Sequence, residues 1–113
     1  MEISFVTSKL AKICNSDKKL RGVHGARMAA LIQQRLLDLD TANTLEAMRN
    51  VPGRCHQLTE NLNGLFAVDL VHPDRLVFRP DHDPVPQLKS GGVDWSKVTK
   101  IEVAGIGDYH GKG

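Results

Sequence analysis

The hydrophobic period of the chain changes at its middle, and that change dictates the fold class. Before residue 50, apolar side chains recur every three or four positions. Met28, Leu31, Ile32, Leu36 and Leu39 place one apolar stripe on a helix from about His24 to Asp40. After "NVPG" (50–53) the apolar residues gather into short runs: "RCHQL" (54–58), "LFAVDLV" (65–71), "RLVFR" (75–79) and "KIEVAGIGDY" (100–109). Runs this short, rich in β-branched and aromatic residues and separated by turn residues, predict strands. "EISFV" at the N-terminus predicts one more. Ser8 is placed to cap a first helix from about 9 to 20, with Leu10, Ile13 and Cys14 inward. Thr44 to Asn50 adds one helical turn. The pattern predicts an α+β domain: two N-terminal helices packed on one face of a small antiparallel sheet.

The turns fit this reading. Asn63-Gly64 suits positive backbone φ, and "HPD" (72–74) closes a hairpin between two of the strands. Ile101 and Val103 fit the buried face of the last strand, whose end Gly105 and Gly107 weaken. Residues 80–98 hold three of the five prolines and predict a long surface loop pinned by Val93 and Trp95.

A chain of 113 residues is expected to form one domain spanning 1–113. No apolar run reaches the roughly 18–20 residues of a membrane span, and "MEISFVTSKL" lacks the layout of a secretory signal. Cys14 and Cys55 show no disulfide or zinc pattern, so a reduced, cytoplasmic protein without membrane contact is expected. The net charge of +2 hides an asymmetry. Lys9, Lys12, Lys18, Lys19, Arg21 and Arg27 face a single acid, Asp17, across residues 9–27. From charge alone that stretch reads equally as a surface for a polyanion such as RNA, through Lys18, Lys19 and Arg21, or an acidic protein segment, and as a solvated helix face.

Metal chemistry has no footing in the pattern: the five histidines form no HxH or HxxxH pair, and no cofactor is expected. Cys55 and His56 are adjacent on a predicted strand and point to opposite faces, which speaks against a nucleophile–base pair. Arg54 and His56, by contrast, share a face. Arg75 opens the strand after "HPD", and Asp108, Tyr109 and His110 close the last one. If these strand ends meet, the chain holds the parts for cleaving an RNA phosphodiester through its 2′-hydroxyl. A base takes the 2′-proton, a guanidinium neutralises charge growing on the phosphorane, and an acid protonates the 5′-oxygen. Histidine serves either proton step near neutral pH, and arginine grips two phosphate oxygens at once. Each residue also has a structural reading. His56 can be a half-buried histidine bonded to a carbonyl. Arg75 can pair with Asp69 or Asp74 across its own hairpin, Tyr109 can be a packing residue, and His72 and His82 can be ordinary loop residues.

The element order and three motifs carry a resemblance. "LLDLDTANTLEAMRNVPG", "RCHQL…NGLFAVDLVHPDRLVF" and the terminal "DYH" resemble the RelE/ParE superfamily of type II toxins, nearest to the HigB-like or "killer protein" branch. The resemblance covers nearly the whole chain. It implies an endoribonuclease that cuts mRNA on the ribosome and stops translation and growth. It also implies silencing by a cognate helix-turn-helix, HigA-like antitoxin, through which alone operator DNA would be reached. His56 matches a histidine of proton transfer or RNA contact, Arg75 the phosphate-binding arginine, and Asp108, Tyr109 and His110 the terminal triplet of the active site.

The sequence departs from the pattern in three places. Thr59 stands where related sequences carry a lysine. A second arginine at the end of the third strand is replaced by Val71 or His72, and His72 is a candidate substitute for it. The 80–98 loop is longer than in compact members. Two other functions fit the same resemblance: a non-enzymatic toxin that binds DNA gyrase as ParE relatives do, and a degenerate member kept for binding its antitoxin.

Overall fold

The computed structural model describes residues 1–59, 62 and 64–109. Strand β1 (Glu2–Phe5) leads into three helices, α1 (Ser8–Cys14), α2 (Asp17–His24) and α3 (Ala26–Thr41). A 3-10 helix (Leu45–Asn50) follows, then β2 (His56–Gln57), β3 (Phe66–Asp69) and β4 (Arg75–Pro80). A short 3-10 turn (Trp95–Lys97) precedes β5 (Lys100–Gly107).

The expected first helix is two helices. It breaks at Asn15–Ser16, where the Ser16 hydroxyl accepts the Lys19 N–H at 3.2 Å and starts α2 afresh. Serine competes with the helix for its own backbone donors, and it caps better than it continues. The cap of α1 is Thr7, not Ser8; its hydroxyl accepts the Leu10 N–H at 3.1 Å. α3 runs close to the predicted span because its apolar stripe is long and uninterrupted.

The five strands lie in the order β1-β5-β4-β3-β2. The sheet is mixed rather than antiparallel: β1 pairs parallel to β5, with Glu2 opposite Lys100 and Phe5 opposite Val103. The helices and the β2–β4 meander all lie between these two strands in sequence, and that long crossover permits the parallel pair. The other three pairings are antiparallel. β5 ends at Gly107, so Asp108 and Tyr109 lie just beyond the strand they were expected to close.

Alternation divides the sheet residues between two clusters. Phe66, Val68, Leu76, Phe78, Ile101 and Val103 join Leu20, Ala29, Ile32 and Leu39 of the helices in the main core. Ala67 and Val77 turn the other way and form a second cluster with Leu58, against which Leu62, Leu65, Ala104 and Tyr109 pack. None of the three α-helices contributes to that second cluster, so among the described residues this face of the sheet is not covered by an α-helix.

The 80–98 loop is held as predicted. Trp95 meets Phe66 edge-on at 5.1 Å between ring centroids, and the Arg49 guanidinium lies 3.8 Å over the indole. His82 adds a latch that the sequence does not announce: its Nε2 accepts the N–H groups of Thr99 (3.1 Å) and Lys100 (3.3 Å). At Gly64 φ is +93°, in keeping with the turn expected there.

Candidate active site

The register of the sheet sets the site out in two rows across its open face. His56 pairs with Ala67, Ala67 with Val77, and Val77 with Gly105. One step along, Asp69 pairs with Arg75 and Arg75 with Gly107. Directly paired residues share a face, and residues two apart on a strand do too. His56, Asp69 and Arg75 therefore stand on the same side, with His56 and Asp69 diagonal neighbours about 7–8 Å apart at Cα. Arg54 precedes β2 with a φ of +52°, the left-handed region that a non-glycine residue avoids. The regular alternation expected from Arg54 to His56 is broken there. The guanidinium nevertheless reaches the same face.

Asp69 joins the two arginines. Arg54 donates from Nε (2.9 Å) and Nη2 (3.3 Å) to its two carboxylate oxygens, and Arg75 Nε lies 3.5 Å from Oδ1. Arg75 thus takes the Asp69 pairing that its structural reading anticipated, but its side chain is only 13% exposed, so the pair is not a solvated one. Partial burial pushes the Asp69 carboxyl up. The hydrogen bond and charge of Arg54, with the charges of Arg75 and His56, outweigh that and hold it below the usual carboxylate range. Two guanidinium groups face the Asp69 carboxylate, and the lining of the cleft between them also includes Asp74. Arg54 commits Nε and Nη2 to Asp69, and Arg75 commits Nε to Asp69 and Nη1 to the Tyr109 carbonyl, so protons for an incoming anion remain chiefly on Arg54 Nη1 and Arg75 Nη2. Between them lies a cleft of about 80 Å³, bordered also by His72, Pro73 and Asp74. At about 30 Å³ per water this is room for a phosphoryl group, not for a nucleobase.

His56 Nδ1 lies 2.7 Å from the Arg54 carbonyl oxygen. A carbonyl carries no proton, so Nδ1–H is the donor and the neutral ring keeps its lone pair on Nε2. The carbonyl bond of the structural reading is present, and it also fixes the tautomer a general base needs.

Tyr109 returns over the strand it has just left. Its N–H donates to the Gly107 carbonyl at 3.1 Å, and its own carbonyl accepts from Arg75 Nη1 at 2.8 Å. The ring lies across Gly105: a Cβ there would collide with the Tyr109 hydroxyl and stand 3.2 Å from Cζ. A β-bulge opposite Val77 and Phe78 leaves Ala104 without a partner and puts Gly105 across from Val77. The ring thereby joins the Leu58, Ala67 and Val77 cluster, which is its packing role, while its hydroxyl stays on the site face.

The other predicted residues are placed as follows. Asp108 is exposed beside Tyr109. His110 lies outside the described residues. Lys18, Lys19 and Arg21 are exposed on α2, whose Leu20 enters the main core on the helical side, and Arg21 pairs with Asp17 at 3.4 Å. No hydrogen bond or ion pair among the described residues ties them to the Arg54–Asp69–Arg75 cluster. The third strand ends at Asp69, and Val71 and His72 sit in the turn beyond it. His72 borders both the small cleft and a larger groove of about 550 Å³ lined by Arg27, Ala30, Leu31 and Gln34 of α3. Cys55 is no nucleophile: burial pushes its thiol up to about 12. His82 is spent on its latch. Among the described residues no three His, Cys, Asp or Glu side chains gather as a metal site. No helix there is long and apolar enough to cross a membrane.

Two participants escape sequence reading. Asp69 was visible only as a possible partner of Arg75, not as the carboxylate shared with Arg54. Arg35 of α3 donates from Nε to the Asp69 carbonyl (2.8 Å) and from Nη1 to the Pro52 carbonyl (3.1 Å), contacts with no local sequence signal.

No protein-family model and no curated protein matches the chain. Solved structures do. A YoeB/ParE toxin from Agrobacterium tumefaciens superposes with a TM-score of 0.58 at 14% identity, over 97% of this chain and 100% of the other. A YoeB–YefM complex from Staphylococcus aureus gives 0.56 at 20% identity, and a YoeB dimer from the same organism 0.55 at 21%, each covering 97% of both chains. Over nearly its whole length, this chain has the fold of the YoeB and ParE toxins.

Proposed function

We propose that this chain is the toxin of a type II toxin–antitoxin pair of the RelE/ParE superfamily and that it cuts mRNA. The carrying observation is the convergence of Arg75, Arg54, His56 and Tyr109 on the open face of the sheet. In this reading the scissile phosphate sits in the small cleft, where Nη protons of Arg75 and Arg54 meet two of its oxygens. His56 Nε2 faces the 2′-hydroxyl as general base, held in the right tautomer by the Arg54 carbonyl. Charge that develops on the phosphorane falls on the two guanidinium groups. Protonation of the 5′-oxygen is left to the C-terminal segment, to the Tyr109 hydroxyl or to His110. Asp108 orients that segment. The products are a 2′,3′-cyclic phosphate and a free 5′-hydroxyl, so the bond formed and the bond broken balance without a co-reactant.

Cleavage in the ribosomal A site, a helix-turn-helix antitoxin of the HigA type, and cytoplasmic action follow from the sequence motifs of the HigB-like branch and are part of the proposal. The complex of a similarly folded YoeB with YefM supports a protein partner for this fold. Lys18, Lys19 and Arg21 are assigned to longer-range attraction of RNA or of an acidic partner segment. The test is induced expression in a bacterium. Growth is expected to stop while transcripts shorten, and Arg75→Ala or His110→Ala is expected to restore it; variants as toxic as the parent would refute the nuclease reading.

A second reading is favoured by the Agrobacterium neighbour, whose name joins YoeB to ParE. A non-enzymatic toxin acting on gyrase would leave transcripts intact and damage DNA, and Arg75→Ala would not relieve it selectively.

A further inference from the structure

We infer that Arg35, on the far side of the sheet from the candidate site, is a positioning residue that sets the Arg54–Asp69 pair from behind. Arg35 stands on α3 with its side chain 13% exposed, and its guanidinium reaches two separate backbone segments. Nε donates to the Asp69 carbonyl at 2.8 Å, and Nη1 donates to the Pro52 carbonyl at 3.1 Å. A third link closes the unit without a side chain: the Asp69 N–H donates to the Gly53 carbonyl at 2.8 Å. The end of β3 and the 52–53 loop are therefore fastened to each other and to one rigid helical residue.

The two residues that emerge from this clamp form the ion pair. Asp69 is the residue whose carbonyl is held, and Arg54 follows the held loop directly. Arg54 also needs the clamp: its φ of +52° is a conformation that persists only where the surroundings over-determine it. Gly53 fits the same account. At φ +118° its α-carbon faces the guanidinium so closely that a Cβ would stand 2.9 Å from Arg35 Nε and 3.0 Å from Cζ. Only glycine leaves room for Arg35 to pass behind the loop. Lysine could not replace Arg35, since one ammonium lacks the planar fork that spans two carbonyls. Asp38 lies 3.9 Å from Arg35 Nη1 and balances its charge.

The functional meaning of this geometry rests on the proposed RNA-cleaving reading, but its structural part is testable without it. In a ¹H–¹⁵N spectrum the Arg54 Nε–H, bonded to Asp69, is expected as a protected signal, identified by its loss in Arg54→Lys. Arg35→Met is expected to cut that protection about tenfold while the lone indole signal of Trp95 stays in place. RNA cleavage by the same variant is expected to lose more in kcat than in KM, because Arg54 acts on the charge of the phosphorane. In an Arg54→Ala background, Arg35→Met should then cost almost nothing further, because residues acting through one another are not additive. A retained Arg54 signal in a folded Arg35→Met protein, or an additive loss in the double variant, overturns the inference. If Arg35→Met does not fold, Arg35→Lys decides: an unchanged Arg54 signal overturns the inference and a weakened one supports it. A wild-type protein with the protected signal but no RNA cleavage would sink the nuclease reading and leave the clamp standing.

Discussion

Arg75 Nη1 donates to the main-chain carbonyl of Tyr109 at 2.8 Å, so the first residue of β4 holds the segment that follows β5. The same guanidinium lies against Asp69 through Nε, and its outward protons face the cleft. One side chain thus links the Asp69 cluster to Tyr109.

Replacing Arg75 should therefore cost more than a charge. Arg75→Ala is expected to lower RNA cleavage by about 10²–10³-fold, the range for losing one preorganised donor to developing oxyanion charge. Arg75→Lys keeps the charge but not the fork, and its activity should stay well below wild type. Single-turnover cleavage of a short RNA reads both; full activity in Arg75→Lys would show that charge alone suffices.

Gly105→Ala tests the seat of Tyr109. The added methyl collides with the phenol, so the ring must leave the Ala67–Val77 surface while the main core stays untouched. The chain has a single tyrosine, so its ring signals report the displacement directly. Shifted tyrosine signals, a nearly unchanged melting temperature and reduced cleavage are expected; unmoved ring signals would contradict this placement.

Asp69 gives the site an acid dependence. Its folded carboxyl lies below the usual range because of Arg54, Arg75 and His56, despite the opposing effect of burial. A depressed pKa contributes stability that is fully present above the unfolded value, about 3.9, and is lost as pH falls through the lower folded value. Thermal melts should show wild type more stable than Asp69→Asn at neutral pH, with the gap closing as pH falls below the unfolded value. A gap constant with pH would mean that the ion pairs contribute nothing.

The latch on the long loop predicts a stability effect remote from the site. His82→Ala leaves the N–H groups of Thr99 and Lys100 without their acceptor, and it should destabilise by about 1–2 kcal/mol. Trp95 is the only tryptophan, and its fluorescence during denaturation follows the loop. An unchanged midpoint would show that water replaces His82 without loss.

Much of this was legible in the sequence where the determinants are local. The stripe from Met28 to Leu39 marked α3, and short apolar runs on either side of a turn marked β3 and β4. Arg75 at a strand start follows from the same patterns, whereas Tyr109, read as closing the last strand, lies just beyond it. What was not legible depends on contacts distant in sequence. The Arg35 bonds span 34 and 17 residues, and nothing in the periodicity of α3 distinguishes Arg35 from a solvated arginine. The parallel pairing of β1 with β5 joins the two ends of the chain. The break at Ser16 turns on one hydroxyl choosing to cap a new helix over continuing the old one. Arg54 was placed on the right face for an incomplete reason, because its backbone leaves the strand geometry on which that placement relied.

The most direct test of the central claim is the cleavage product itself. Purified protein is incubated with programmed ribosomes, and the 3′ ends of the cut mRNA are analysed for wild type, His56→Ala and Arg75→Ala. The predicted result is a 2′,3′-cyclic phosphate made by wild type, with both variants slowed at least about a hundredfold. Intact mRNA with wild type, or the same cleavage in all three proteins, would contradict the assignment of this face of the sheet as an active site.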